Sequence, residues 1–156
     1  CHSSTTVIIK KIECKIIDPD FVDFPVCEVM ANGKKSSVSV TAHIRQLPVS
    51  SVSLNVVLQP LYGKNLAMLN ATWDACAFMK NRKRNRALNR LFKYLAPYTN
   101  VNHSCPYNHD IIVRNFTLWN QTPLFSSPNV AFKISIGVYA GDKYRALLVG
   151  RADLEN

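Results

Sequence analysis

Much of the chain is written in period two. Val38, Val40, Ala42 and Ile44 alternate with Ser37, Ser39, Thr41, His43 and Arg45, which predicts a strand with one wet face. Val52, Leu54, Val56 and Leu58 give a second alternating strand, ended by Pro60 and Gly63. Phe132, Ile134, Ile136 and Val138 give a third, alternating with Lys133, Ser135, Gly137 and Tyr139. Residues 5–17 are extended in character, with an irregularity expected at Lys10 and Lys11, and residues 21–30 read as the returning strand after the turn Asp18-Pro19-Asp20. Asn32-Gly33 and Gly141-Asp142 are hairpin signals, and Leu47-Pro48 is a break. Further strands are expected over residues 66–78 and 110–118, with a turn over 123–128. The last strand, 145–151, leaves open whether Leu147 and Val149 or Ala146 and Leu148 point inward. About eight strands at this spacing predict a mainly β, two-sheet sandwich.

One stretch breaks the pattern. Between Cys76 and Cys105, Leu88, Leu91, Phe92 and Leu95 recur at helical spacing. Arg86, Arg90 and Lys93 fall on the opposite face. Asn85 is a good N-cap and Pro97 a natural stop, since a proline disfavours helix in the residue before it. The sequence therefore predicts one domain over residues 1–156, interrupted by an amphipathic helical insertion at about 82–97. Most of the formal charge of +9 belongs to the stretch between Cys76 and Cys105. Lys80, Arg82, Lys83, Arg84, Arg86, Arg90 and Lys93 lie in it with no acidic residue between them. Without those seven, 12 basic residues face 10 acidic ones. Arg82, Lys83, Arg86, Arg90 and Lys93 form a candidate patch for an anionic glycan, a receptor or a membrane surface.

Five cysteines, with the sequons at Asn70, Asn102, Asn115 and Asn120, point to a secreted glycoprotein, and so away from nucleic acid. Four cysteines allow three connectivities. Cys14–Cys27 with Cys76–Cys105 is preferred, because a hairpin can join the first pair and the second would clip the base of the helix. Cys1 is then the spare. No run of 18 apolar residues is present. The chain has no Met start and no secretory apolar segment, so it reads as a mature or trimmed form.

Catalytic motifs are absent. No Gly-x-Ser-x-Gly turn, HExxH or phosphate-binding glycine loop occurs, so no enzyme is expected and no cofactor. His103, Cys105, His109 and Asp110 are packed into eight residues, but Cys105 is better used in a disulfide and the spacing is not that of a zinc site. No metal site is expected there.

The order Asp74-Ala75-Cys76, a basic segment, Leu91-Phe92-Lys93, Pro97-Tyr98, and then Asn102-His103-Ser104-Cys105-Pro106-Tyr107-Asn108-His109-Asp110-Ile111-Ile112-Val113 is distinctive. It resembles a large insect family of secreted proteins with a domain of unknown function, which includes the CheB chemosensory proteins. The likeness runs from about Cys14 to the last strand, and residues 21–27 and Leu47-Pro48-Val49 share it. The chain departs in continuing with Arg114-Asn115-Phe116, where an acidic residue is common, and in being unusually basic before Leu88. That family is held to be related to the ML lipid-recognition superfamily, which includes the ganglioside activator. The resemblance implies an immunoglobulin-like β-sandwich opening to a lipid-binding cup. It implies extracellular, non-enzymatic binding of a lipid or other hydrophobic small molecule, in the CheB-like members for chemosensation. Ile44, Leu54, Val56, Leu58, Phe132, Ile134, Ile136 and Val138 would then line the cavity, with Leu88, Leu91, Phe92 and Leu95 at its mouth. The alternative is a ligand-free interaction protein that docks a receptor or anionic glycan through the basic helix.

Overall fold

A computed structural model describes residues 6–33, 35–61, 69–117 and 130–155. It is mainly β, with two antiparallel sheets packed as in a β-sandwich. The strands are β1 (Thr6–Ile16), β2 (Val22–Asn32), β3 (Lys35–Ile44), β4 (Val52–Pro60), β5 (Leu69–Asp74), β6 (Ile111–Phe116), β7 (Val130–Ala140) and β8 (Lys143–Glu155). One sheet has the order β1-β8-β7-β4-β5 and the other β2-β3-β6. Both hairpin signals hold. Asn32 pairs with Lys35 across Gly33, and Ala140 with Lys143 across Gly141-Asp142. Gly33, Gly141 and Asp142 all have positive φ (63°, 58° and 62°), which a tight turn with the twist of its strands requires. The register of β1 shifts between Ile9 and Lys11, at the irregularity the two lysines marked.

Two expectations are corrected. Strands β1 and β2 are not a hairpin: β1 pairs with β8 and β2 with β3. Asp18-Pro19-Asp20 instead carries the chain from one sheet to the other. The amides of Ile17 and Asp18 both donate to the Arg145 carbonyl, and the Arg145 guanidinium pairs with Asp18 while lying 4.2 Å over the Phe21 ring. This clamp on a distant strand is what turns the chain away. The strand expected over 66–78 also ends early, at Asp74. Its carboxylate accepts the Ala77 amide at 2.9 Å and caps a short helix, α1 (Ala75–Lys80). Helical structure thus occupies Ala75–Lys80, a 3-10 turn at Arg82–Arg84, α2 (Arg86–Leu95) and a second turn at Ala96–Tyr98, a wider span than 82–97. The N-cap of α2 is Asn85, whose side chain accepts the Leu88 amide at 3.1 Å, and α2 stops two residues before Pro97.

Register gives the inward face of the larger sheet. Its central row runs Cys14, Leu148, Ile136, Val56, Ala71 across all five strands. Cys14 bonds Cys27 of the smaller sheet, so this row faces that sheet. The open choice in the last strand is thereby settled: Ala146 and Leu148 point inward. Two buried clusters form, at opposite ends of the strands. One joins Phe21, Val22, Ile44, Val49 and Tyr107 to Ala140 and Ala146. The other joins Val7, Leu58, Phe132, Ala152 and Leu154.

Candidate functional site: the face between the sheets and the inserted segment

Leu54 pairs with Val138, Val56 with Ile136 and Leu58 with Ile134, so six of the expected cavity residues share one face. Their environments differ. Leu58 and Phe132 are buried in the second cluster with Ile134 packed against it, and Val138 packs against the first. Leu54, Val56, Ile136 and Leu148 belong to neither cluster and are only partly buried. The middle of this apolar face is therefore only partly covered. Ile44 is buried in the first cluster, at the end of the strands and away from that middle.

The helical residues form a separate group. Phe92 is the buried residue of α2. Its ring meets Phe78 of α1 edge to face at 5.9 Å, and the Arg82 guanidinium lies 5.2 Å over it. Leu88, Leu91 and Leu95 are partly buried. On the other side Arg82, Lys83, Arg86, Arg90 and Lys93 are all exposed and make no ion pair among the described residues. Arg82 serves twice, capping an aromatic ring while carrying part of the patch charge.

Both disulfides are formed, Cys14–Cys27 between the sheets and Cys76–Cys105 across the base of the insertion. Cys1 and Asn120 lie outside the described residues, as do the turn at 123–128 and parts of the strands expected over 66–78 and 110–118. Asn70, Asn102 and Asn115 are exposed. Asn70 and Thr72 both accept from the Asn55 amide, at 3.2 and 3.0 Å, on the outer face of the larger sheet. Asn115 has φ 55° and is held by Ser39, whose hydroxyl accepts its backbone amide at 3.0 Å.

The loop before β6 is tightly organised. Tyr107 is buried, exchanges backbone hydrogen bonds with Val49, and donates its hydroxyl to the carbonyls of His103 and Val101. Asp110 leaves the histidines beside it in sequence and turns to β3. It accepts the Ile44 amide and the His43 ring N–H, both at 3.1 Å. Those bonds, first the amide and then the imidazole, hold its carboxyl below the usual carboxylate range. Of the four residues noticed as possible metal ligands, Cys105 and Asp110 are therefore committed elsewhere, and no group of three or more such side chains forms among the described residues.

A pocket that sequence reasoning did not foresee opens at one end of the sheets, with a volume of about 290 Å³. Phe21, Leu47, Val49, Ala140 and Arg145 contribute to it, and none of the expected cavity residues does. Its signal in the sequence was slight, since it depends on the Arg145 clamp. No helix is long and apolar enough to cross a membrane among the described residues.

With two facing sheets, two disulfides and a basic helical insertion in view, the chain can be set against known proteins. It matches the family described as "Protein of unknown function (DUF1091)" over residues 52–134, more than half its length, and belongs to that family. The match takes in β4, β5, the whole insertion, β6 and the start of β7. No curated protein matches the chain.

Proposed function

We propose that this protein is secreted and binds a lipid or other hydrophobic small molecule between its two sheets, without catalysis. The observation that carries this reading is the middle of the inward face, where Leu54, Val56, Ile136 and Leu148 lie between two buried clusters and belong to neither. Apolar surface left partly covered inside a fold is what an apolar ligand needs, since each Å² it removes from water contributes roughly 25 cal/mol. Two disulfides support an oxidising compartment. The resemblance to CheB-like proteins and to the ML superfamily supports a lipid-binding cup and a chemosensory setting, by analogy of fold. To test it, protein from a secretory expression host is extracted with organic solvent for mass spectrometry, then titrated with a fluorescent long-chain fatty acid. Saturable uptake, lost on Ile136→Trp in a folded variant, is expected. No extractable apolar molecule together with no uptake would overturn the reading.

The second reading is a ligand-free interaction protein. Its support is the set of five exposed cations without carboxylate partners among the described residues. It fits an anionic glycan, a receptor or a membrane surface. Retention of the protein on heparin, lost when the patch is neutralised, with no apolar uptake by the wild type, would favour it.

A further inference from the structure

We propose that His103 and His109 form a two-imidazole site for a divalent transition-metal ion, Cu(II) foremost. Their Nε2 atoms face each other at 2.7 Å. Their Nδ1 atoms each meet a backbone carbonyl, His103 that of Ser104 at 2.8 Å and His109 that of Asp110 at 2.7 Å. A carbonyl only accepts, so these two contacts favour the tautomers that carry the proton on Nδ1. The side chain of Asn100 approaches His109 Nδ1 at 3.2 Å. Its Oδ1 accepts the Ile112 amide at 3.0 Å, and one hydrogen of its NH₂ group donates to the same Asp110 carbonyl at 2.8 Å. The Asp110 carbonyl lies nearer to His109 Nδ1 than the Asn100 amide does, which favours the tautomer with the proton on Nδ1.

With both Nδ1 atoms protonated, both Nε2 atoms of the neutral rings are bare lone pairs aimed at each other. Two lone pairs repel, and a Lewis acid between them removes the repulsion. A histidine whose other nitrogen donates to a carbonyl is the arrangement that surrounds metal ions, since it fixes the tautomer and raises ligand basicity. With metal–nitrogen bonds of about 2.0–2.1 Å, two ligands at a right angle would be about 2.9 Å apart, and at a tetrahedral angle about 3.3 Å. The observed spacing lies nearer the first, so a tetragonal ion needs the smaller adjustment. Imidazole donors and the stability order of the divalent ions both favour Cu(II). The rings are preorganised by Tyr107, which packs against both, at 4.8 Å from His103 and 5.8 Å from His109, and by the Cys76–Cys105 bond. His103 is exposed and His109 partly so, which leaves the remaining coordination positions to water.

The test uses the full chain carrying Cys1→Ser and His2→Ala, which removes the competing Cys1 and His2 side chains. CuCl₂ is titrated at neutral pH in a non-coordinating buffer, and electron paramagnetic resonance reads the nitrogen couplings. One equivalent bound with two imidazole nitrogens is expected. His103→Gln and His109→Gln should each lose one nitrogen coupling and weaken binding at least tenfold. His43→Gln, whose ring nitrogen bonds Asp110, should leave both unchanged. His103 is exposed, so its variant folds even if that of His109 does not, and circular dichroism checks this. A Cys1→Ser/His2→Ala protein with both His103 and His109 intact that takes up no Cu(II) at micromolar concentration would overturn the inference. So would a His103→Gln variant that keeps the two-nitrogen signal.

Discussion

The same substitution made at two valines separates a solid core from a cleft. Val22 is 3% exposed in the first buried cluster, while Val56 stands in the central row outside both clusters. Each lies on a strand, so β propensity is nearly constant for Val→Ile. In a close-packed site one extra methylene forces neighbours off their rotamers and costs about 1–3 kcal/mol. In a cleft it meets space and covers apolar surface, contributing about 0.8 kcal/mol per buried methylene. Val22→Ile should therefore destabilise by about 1–3 kcal/mol, and Val56→Ile should be neutral or stabilise by up to about 0.8 kcal/mol. At about 2–4 °C per kcal/mol for a chain of this size, the two variants should differ in melting temperature by about 2–15 °C. Differential scanning calorimetry on delipidated protein reads this directly, and fatty-acid uptake by Val56→Ile should fall because the added methylene occupies ligand space. Equal destabilisation at both positions would show that the middle of the face is packed like the ends, and the cleft reading would fail.

Replacing Arg82, Lys83, Arg86, Arg90 and Lys93 by Gln keeps helix propensity and should cost little stability beyond the Arg82–Phe92 contact, about 0.5–1 kcal/mol. If the face recruits anionic surfaces, at about 1 kcal/mol per charge, sedimentation with phosphatidylserine vesicles should drop at least a hundredfold; unchanged sedimentation would remove the patch from consideration. Asp110 has a folded-state pKa below its ordinary value, so its bonds add stability that is present above the unfolded pKa and lost as pH falls through the folded one. Acid denaturation followed by fluorescence should thus show a pH-dependent step below about pH 4 that Asp110→Asn lacks; identical acid limbs would show that these bonds add nothing.

What the sequence made legible was local. The α2 helix could be read because Leu88, Leu91, Phe92 and Leu95 repeat on one face behind an Asn cap, and the hairpins because Gly33, Gly141 and Asp142 suit the positive φ of a tight turn. The disulfide partners were legible from loop logic, yet the geometry of Cys14–Cys27 was not. A proline turn between two apolar runs reads as a hairpin, and only the distant Arg145 clamp makes it a crossover. Helix α1 was missed because six residues are too short to show a period of 3.6; Asp74 before Ala-Cys-Ala was the available signal. The facing histidines were noticed as residue types. Their convergence depends on Tyr107 reaching Val49, which no local pattern records.

The two disulfides do the same job at opposite edges, and this bears on how a ligand could enter. Cys14 and Cys27 join β1 of the larger sheet to β2 of the smaller. Cys76 follows β5, the far edge of the larger sheet, and Cys105 precedes β6, the far edge of the smaller. In the chain-entropy account, separations of 29 and 13 residues give about 3.6 and 2.9 kcal/mol, so removing either pair should destabilise to a similar degree. Their effects on ligand exchange should differ. Near the first edge the sheets are also joined by the Ile9 amide donating to the buried Ser36 hydroxyl at 2.8 Å. At the second, the side-chain hydrogen bond from the Cys105 loop to α1 among the described residues is the longer one from Ser104 to the Met79 carbonyl, at 3.4 Å. Replacing Cys76 and Cys105 by Ser should therefore speed release of a bound fluorescent fatty acid at least tenfold, while replacing Cys14 and Cys27 should change it little. Stopped-flow displacement measures both rates at a temperature where each variant is folded. Faster release from the Cys14/Cys27 variant alone would place the opening at the β1–β2 edge instead.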